Sequence, residues 1–234
     1  MNLLIIGGTS EIAQKILINL NELNSLKTKL FATYNNSNKF IKNVNYLRLD
    51  LNNERNFEKK INKFKKYKFD YILFAAALTH NSNLIKNKFC IFGNLELKYF
   101  ELMLKINCYS NLKIFEILHK KKMINKGSKI IFFSSKTAST ELRGSLKYNK
   151  KFGNVFYRIS KAALNSAVKN IYFDFKDIYQ VNALHPGHVK TKSGGKNALL
   201  TSDYASKKII KLILTKNKIN NGKFLDLHGK IIKW

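Results

Sequence analysis

Short, nearly continuous apolar runs alternate along the chain with longer stretches in which apolar residues recur every three or four positions. The runs predict strands at Asn2–Ile6, Lys29–Tyr34, 44–49, 71–76, 129–134, Gln180–Leu184 and 223–227. They lack the in-and-out alternation of a half-exposed strand and fit parallel strands covered on both faces. After the first run, Ile12, Ile16, Leu20 and Leu23 line one face of a helix. Longer helical patterns cover 97–123 and 157–175, and the asparagine-rich stretch 35–45 reads as a loop. Strand–helix alternation over the whole length predicts one α/β domain spanning 1–234. Its expected architecture is a Rossmann fold, a doubly wound, mostly parallel seven-stranded sheet with helices on both faces.

Composition narrows the class. The 234 residues, 45% hydrophobic and 12% aromatic, suffice for a sizeable core. Two cysteines, Cys90 and Cys108, make no disulfide framework, so a reducing, cytoplasmic setting is expected. No apolar run approaches the roughly 20 residues of a membrane helix, and no membrane partner is expected. The first run, Leu3 to Ile6, ends at glycines and reads as a strand, not a signal peptide.

Charge changes the picture less than its size suggests. Lys+Arg is 43 against Asp+Glu of 14, a formal +29. Only Arg48, Arg55, Arg143 and Arg158 are arginine, the residue suited to bidentate reading of bases and phosphates. The lysines are spread out, and the densest run, 59–66, carries Ile61 and Phe64 at helical spacing, as an amphipathic surface helix does. No specific nucleic-acid partner is expected, although the positive field attracts anionic ligands, dinucleotides included.

Two segments carry candidate chemistry. The first, Ile6-Gly7-Gly8-Thr9-Ser10-Glu11-Ile12-Ala13, reads as strand, tight turn and helix. Gly7 can make the turn, and the helix start near Ser10 can face a pyrophosphate. Taken alone, it reads equally as an ordinary strand-to-helix turn. The second is Tyr157-Arg158-Ile159-Ser160-Lys161-Ala162-Ala163-Leu164-Asn165. Tyr157 and Lys161, four apart, share a helical face. An ammonium near a phenol lowers the tyrosine pKa from about 10 and makes it a usable acid or base. Upstream, Ile130 to Ser135 is a strand ending in two hydroxyls, at the edge where open α/β sheets hold ligands. A lone Tyr-x-x-x-Lys is more often a surface pair, but the Ser-Ser strand end before it and the Ala-Ala-Leu-Asn after it favour a site. The histidines show no metal-ligand spacing and no metal is expected; His80 and His188 are the two placed near a substrate mouth.

These segments together resemble the short-chain dehydrogenase/reductases over nearly the whole chain. The 22 positions from Ser135 to Tyr157, the stretch Leu184-His185-Pro186-Gly187-His188-Val189-Lys190-Thr191, the stretch 193–198 and the tail 222–234 resemble the C-factor and sniffer-type carbonyl reductase branch. The resemblance implies hydride transfer between a nicotinamide and a carbonyl or alcohol substrate. In it Tyr157 is general acid/base, Lys161 holds the ribose and lowers the tyrosine pKa, Ser135 positions the substrate oxygen, and Asn107 holds a relay water. Implied cofactor contacts are Gly7, Thr9, Ser10, Glu11 and Ile12 at the turn; Tyr34 and Asn35 after the second strand; and Asp50 and Leu51 after the third. Ala75, Ala76 and Ala77 follow the fourth strand, and Tyr157, Lys161, Pro186, Gly187, Val189 and Thr191 complete the set. Assembly as a homodimer or homotetramer through the two long helices is implied, with monomers also known in this branch.

The chain departs from the family pattern at two places. Glu11 and Ala13 stand where the turn has glycines, and Ala75-Ala76-Ala77-Leu78 replaces Asn-Asn-Ala-Gly. A carboxylate at Glu11 sits awkwardly beside a pyrophosphate and is expected to point away or cap the helix. At the end of the second strand, Thr33 to Ser37 offers no carboxylate for the adenine ribose, and Lys39 and Lys42 lie just beyond. NADP(H) is therefore preferred over NAD(H). Substrate identity is assigned to two segments, the loop 136–156 and the lid 191–202. A catalytically quiet dinucleotide-binding sensor or signalling protein is the alternative.

Overall fold

A computed structural model describes residues 1–23, 28–37, 39–79, 85, 89–145, 154–215 and 221–234. Seven strands form one parallel sheet in the order β3-β2-β1-β4-β7-β8-β9. They are β1 Asn2–Ile6, β2 Lys29–Tyr34, β3 Val44–Arg48, β4 Phe69–Phe74, β7 Ile124–Phe133, β8 Gln180–Leu184 and β9 Phe224–Leu225. Cys90–Ile91 and Asn94–Leu95, β5 and β6, make a separate antiparallel hairpin. The helices are α1 Glu11–Glu22, α2 Phe57–Ile61, α3 Leu97–Leu104, α4 Ser110–Lys120, α5 Val155–Phe175 and α6 Ser202–Leu214. Strand order reverses direction at β1 and β4, which leaves a crevice above their C-terminal ends.

The continuous apolar runs become strands because both sheet faces are covered. On one face Leu4, Ile6, Phe31, Phe74, Ile130 and Phe132 pack with Leu164 and Val168 of α5. On the other, Leu3, Ile5, Leu30, Leu73 and Ile131 pack with Ile16 of α1 and Ile209 of α6. Alternate residues of one strand thus feed two cores. A third, smaller cluster of Leu78, Ile85, Cys90, Tyr99, Met103 and Phe156 lies beside Tyr157.

The long helical pattern over 97–123 is found as one continuous helical stretch, α3, a π-helical turn Lys105–Tyr109, and α4. Hydrophobic periodicity does not register one widened turn inside a helix. The hairpin β5–β6 was not foreseen, since its two-residue strands give no periodicity. Strand ends also differ: β4 begins at Phe69, and β7 begins at Ile124 because the β4–β7 register shifts between Phe69 and Tyr71.

Candidate active site

The turn after β1 is held by β2. Gly7 N donates to Thr33 Oγ1 at 2.9 Å and Gly8 N to Thr33 O at 2.8 Å. Gly7 has φ +85°, and a Cβ there would meet Ala76 Cβ at 2.5 Å. Glycine is therefore required twice over, by backbone conformation and by the close approach of the chain leaving β4. Ala75 N and Ala76 N both donate to Ile6 O at 2.9 Å, so the alanines in place of asparagine keep this approach. Ser10 is the N-cap of α1, accepting from Ala13 N. The first amides of the helix, at Glu11 and Ile12, have no intrahelical acceptor, as at any helix start.

At the other end, α5 begins where Asn154 Oδ1 accepts from Tyr157 N at 2.9 Å. Its first turns deliver Tyr157, Ser160 and Lys161 to the end of β7. Lys161 is 1% exposed, and its Nζ donates to Phe133 O at 2.7 Å. Ser135, two residues on, is hydrogen-bonded to the Tyr157 phenol and lies 2.9 Å from Thr137 Oγ1. Ser134 Oγ donates to Asn165 Oδ1 at 2.6 Å, fixing the strand end to α5. Asn107, fully buried, accepts from Leu78 N at 2.7 Å and donates to Leu78 O and Ser160 Oγ, both at 2.9 Å. Ser135, Tyr157, Lys161 and Asn107 are thus drawn into one neighbourhood.

One expectation about this group changes. Lys161 was expected to lower the Tyr157 pKa. Burial instead pushes the phenol up to about 12, with the Ser135 hydrogen bond acting against the rise, and pushes Lys161 down to about 8. Desolvation is the largest cause of both shifts, and the ammonium is turned onto Phe133 O. Both amide hydrogens of Asn107 are used, and its side chain straps Leu78 to the helix. Its position in the π-turn has a visible consequence: Asn111 Nδ2 reaches back to Ile106 O at 3.2 Å and Asn107 O at 3.0 Å.

The remaining sequence candidates are spread along the crevice. Tyr34, Asn35, Asn36, Ser37 and Arg48 line a cleft of about 430 Å³ at the ends of β2 and β3. Asp50 Oδ1 accepts from Asn52 N at 2.9 Å and Asn35 Nδ2 at 3.4 Å, shaping the turn after β3. Leu51 is buried, and its carbonyl accepts from Ser110 Oγ at 2.6 Å. Ala77 is exposed at the crevice edge. Beyond β8, Pro186 leads to Gly187 at φ +82°, whose Cβ would meet Leu200 Cδ1 at 2.5 Å. Val189 bridges Leu200, and Thr191 Oγ1 accepts from Gly194 N at 3.0 Å. His80 and positions 146–153 of the loop 136–156 lie outside the described residues. His188 Nε2 sits 2.9 Å from Gly194 O.

Three participants escaped the sequence reading. Arg48 faces the β2 cleft, opposite Tyr34 in the parallel register, a pairing that no local sequence signal shows. Ser160 links Asn107 to α5. His185 Nδ1 is buried with no hydrogen-bond partner among the described residues, and burial pushes the ring down to about 4.

This layout suits a dinucleotide. From β2 to β7 is three strand spacings, about 14 Å, with the glycine turn between and polar groups at both ends. The free helix amides, the Tyr34–Arg48 cleft and the orphaned His185 nitrogen are the sites such a ligand would satisfy. Among the described residues, no group of three His, Cys, Asp or Glu could hold a metal ion. No helix among them is long and apolar enough to cross a membrane.

Comparison with known proteins follows the same lines. The chain is 35% identical over 96 residues, 41% of its length, to the C-signal of Myxococcus xanthus. It is 30% identical over 147 residues, 61% of its length, to 1-hydroxy-2-glutathionyl-2-methyl-3-butene dehydrogenase of Rhodococcus sp.. The matches span 58% and 62% of those two relatives. The fold superposes on carbonyl reductase Sniffer of D. melanogaster with TM-score 0.81 at 22% identity, covering 100% of this chain and 99% of that one. The branch expected from the motifs is among these neighbours. Residues 20–221 match the family profile described as enoyl-(acyl carrier protein) reductase, and the chain belongs to the short-chain dehydrogenase/reductase family.

Proposed function

We propose that the chain is an NAD(P)-dependent oxidoreductase acting on a carbonyl/alcohol pair, with Tyr157 as the general acid/base. The observation that carries this reading is the convergence of Ser135, Tyr157 and Lys161 at the end of β7. When bound, the nicotinamide supplies or accepts the hydride. The chain's own groups do the rest. Ser135 Oγ, already hydrogen-bonded to the phenol, orients a substrate oxygen toward it. With its pKa near 12, Tyr157 is protonated at neutral pH and is set to donate in the reductive direction. Lys161, near 8, still carries its charge at pH 7 and stabilises the phenolate left by that donation. Asn107 and Ser160 keep Leu78 and the first turn of α5 in place.

For the cofactor, the proposal is NADP(H) before NAD(H). The support is a cleft with Arg48 and no carboxylate among its lining residues, where a 2′-phosphate would find a guanidinium. The test is titration with NADPH and NADH, followed by turnover on an aldehyde and ketone panel. Tighter binding of NADPH and carbonyl-dependent oxidation are expected; clearly better use of NADH reverses the cofactor preference.

The second reading is a quiet dinucleotide-binding signalling protein, favoured by Glu11 in place of glycine and by the name of the C-signal relative. It predicts cofactor binding with no turnover on any member of the panel.

A further inference from the structure

Glu11 occupies a position where a carboxylate has no obvious place, and the fold gives it one. Its Oε2 accepts from Lys192 N at 2.7 Å, a contact 181 residues away in the chain. Lys192 belongs to a compact loop with its own bonds. Gly195 N donates to Thr191 O at 2.9 Å, and Lys190 N to Leu200 O at 2.8 Å. Thr191 Oγ1 and His188 Nε2 hold Gly194 from either side. A longer contact with the far side of the crevice runs from Thr79 Oγ1 to Ser193 Oγ at 3.4 Å. The loop leaves β8, while Glu11 follows β1, three strands away across β7 and β4. It therefore roofs the crevice, and the Glu11 bond is shorter than the Thr79–Ser193 one.

We infer that Glu11 is a positioning residue that latches the 191–202 segment over the phosphate-binding turn, so that a bound dinucleotide leaves only when the Glu11–Lys192 bond opens. The inference rests on the proposed dinucleotide site. It also explains how a carboxylate is tolerated at a pyrophosphate-binding helix start: the hydrogen bond draws the charge up to the roof. Removing the side chain frees the Lys192 amide; replacing it by glutamine removes the charge and keeps an acceptor oxygen at the same reach. The side chain is exposed, and alanine suits a first helical turn, so both variants fold.

Two measurements decide the matter. Hydrogen exchange of peptides covering 190–195 in the free protein reads the latch alone. NADPH dissociation by stopped-flow fluorescence reads its consequence. In Glu11→Ala, exchange and dissociation both accelerate about fivefold to tenfold, the scale of one intramolecular hydrogen bond. In Glu11→Gln both stay within about threefold of the native protein. Unchanged exchange in Glu11→Ala overturns the inference, as does a Glu11→Gln protein as loose as the alanine variant, or loosened exchange with unchanged NADPH release. Should the native protein bind neither NADPH nor NADH, the dinucleotide reading fails, and with it the role in release, while the exchange data still judge the contact itself.

Discussion

At the β7–α5 end of the crevice, Lys161 and Asn107 are 1% and 0% exposed, and their polar atoms have named partners. At the ends of β2 and β3, Asn35, Asn36 and Arg48 are exposed around an open cleft, and among the described residues no hydrogen bond or ion pair occupies the Arg48 guanidinium. The first region is over-determined, the second is left for a ligand to complete. Buried polar groups must be paired on folding or cost about 1–3 kcal/mol each, so truncating a buried strap such as Asn107 at the proposed reacting end disturbs the fold. A change in the open cleft disturbs only what the cleft holds.

The largest expected effect tests the reacting end. Tyr157→Phe keeps the ring packed against the third cluster and removes only the hydroxyl that Ser135 engages. Turnover should fall by about 10²–10⁴, the range of general acid–base catalysis, with an unchanged circular dichroism spectrum and melting temperature within a few degrees. Retention of most activity would assign the chemistry elsewhere. Next in size is the open end. Arg48→Ala should weaken NADPH binding by about ten- to a hundredfold, the scale of a charge-assisted bond to phosphate, and leave NADH binding within about twofold. Equal losses for both cofactors would mean that Arg48 supports the turn rather than reading a phosphate.

The contrast also sorts what was legible in the sequence. The sheet was readable because strands fed by two cores leave unbroken apolar runs, as Leu3 to Ile6 and Ile130 to Phe133 do. The Tyr157–Lys161 pair was readable because helical spacing is fixed. What escaped was tertiary. The direction in which Lys161 points depends on the Phe133 carbonyl, contributed 28 residues earlier, and burial, which no local pattern reports, raises the phenol and lowers the ammonium. The π-turn at Lys105–Tyr109 leaves the apolar pattern of its flanking helices unbroken. Arg48 became meaningful only once β3 was paired in register with β2, and Glu11 only once the 191–202 segment folded back over β1.

Asn107 offers a way to separate strap from chemistry. Asn107→Ala strands Leu78 N and removes the donor to Ser160 Oγ, so denaturant unfolding should show a loss of roughly 2 kcal/mol. The corresponding change in the open cleft, Asn35→Ala, removes only the 3.4 Å bond to Asp50 at an exposed position and should cost less than about 0.5 kcal/mol. Comparable losses for the two would erase the distinction between the ends.

A pH slope tests the same burial. Burial holds Lys161 near 8 in the folded protein, against about 10.4 in an unfolded chain. Between those values the unfolded state binds more protons than the folded one, so this residue makes stability rise with pH from about 8 to 10. Tyr157 is shifted the other way, to about 12; its contribution is present below about 10 and lost only as pH rises beyond that, outside this window. Lys161→Met removes the titration while filling much of the same volume. Melting temperatures of the native and Lys161→Met proteins, taken at intervals from pH 7 to 10, should therefore diverge in slope. The native protein gains a few degrees relative to the variant above pH 8, by the usual conversion for a domain of this size. Taking the difference cancels the many surface lysines, which titrate alike in both. Parallel curves would show that Lys161 is solvated in the folded state, and the reacting end would then be as open as the cleft at Arg48.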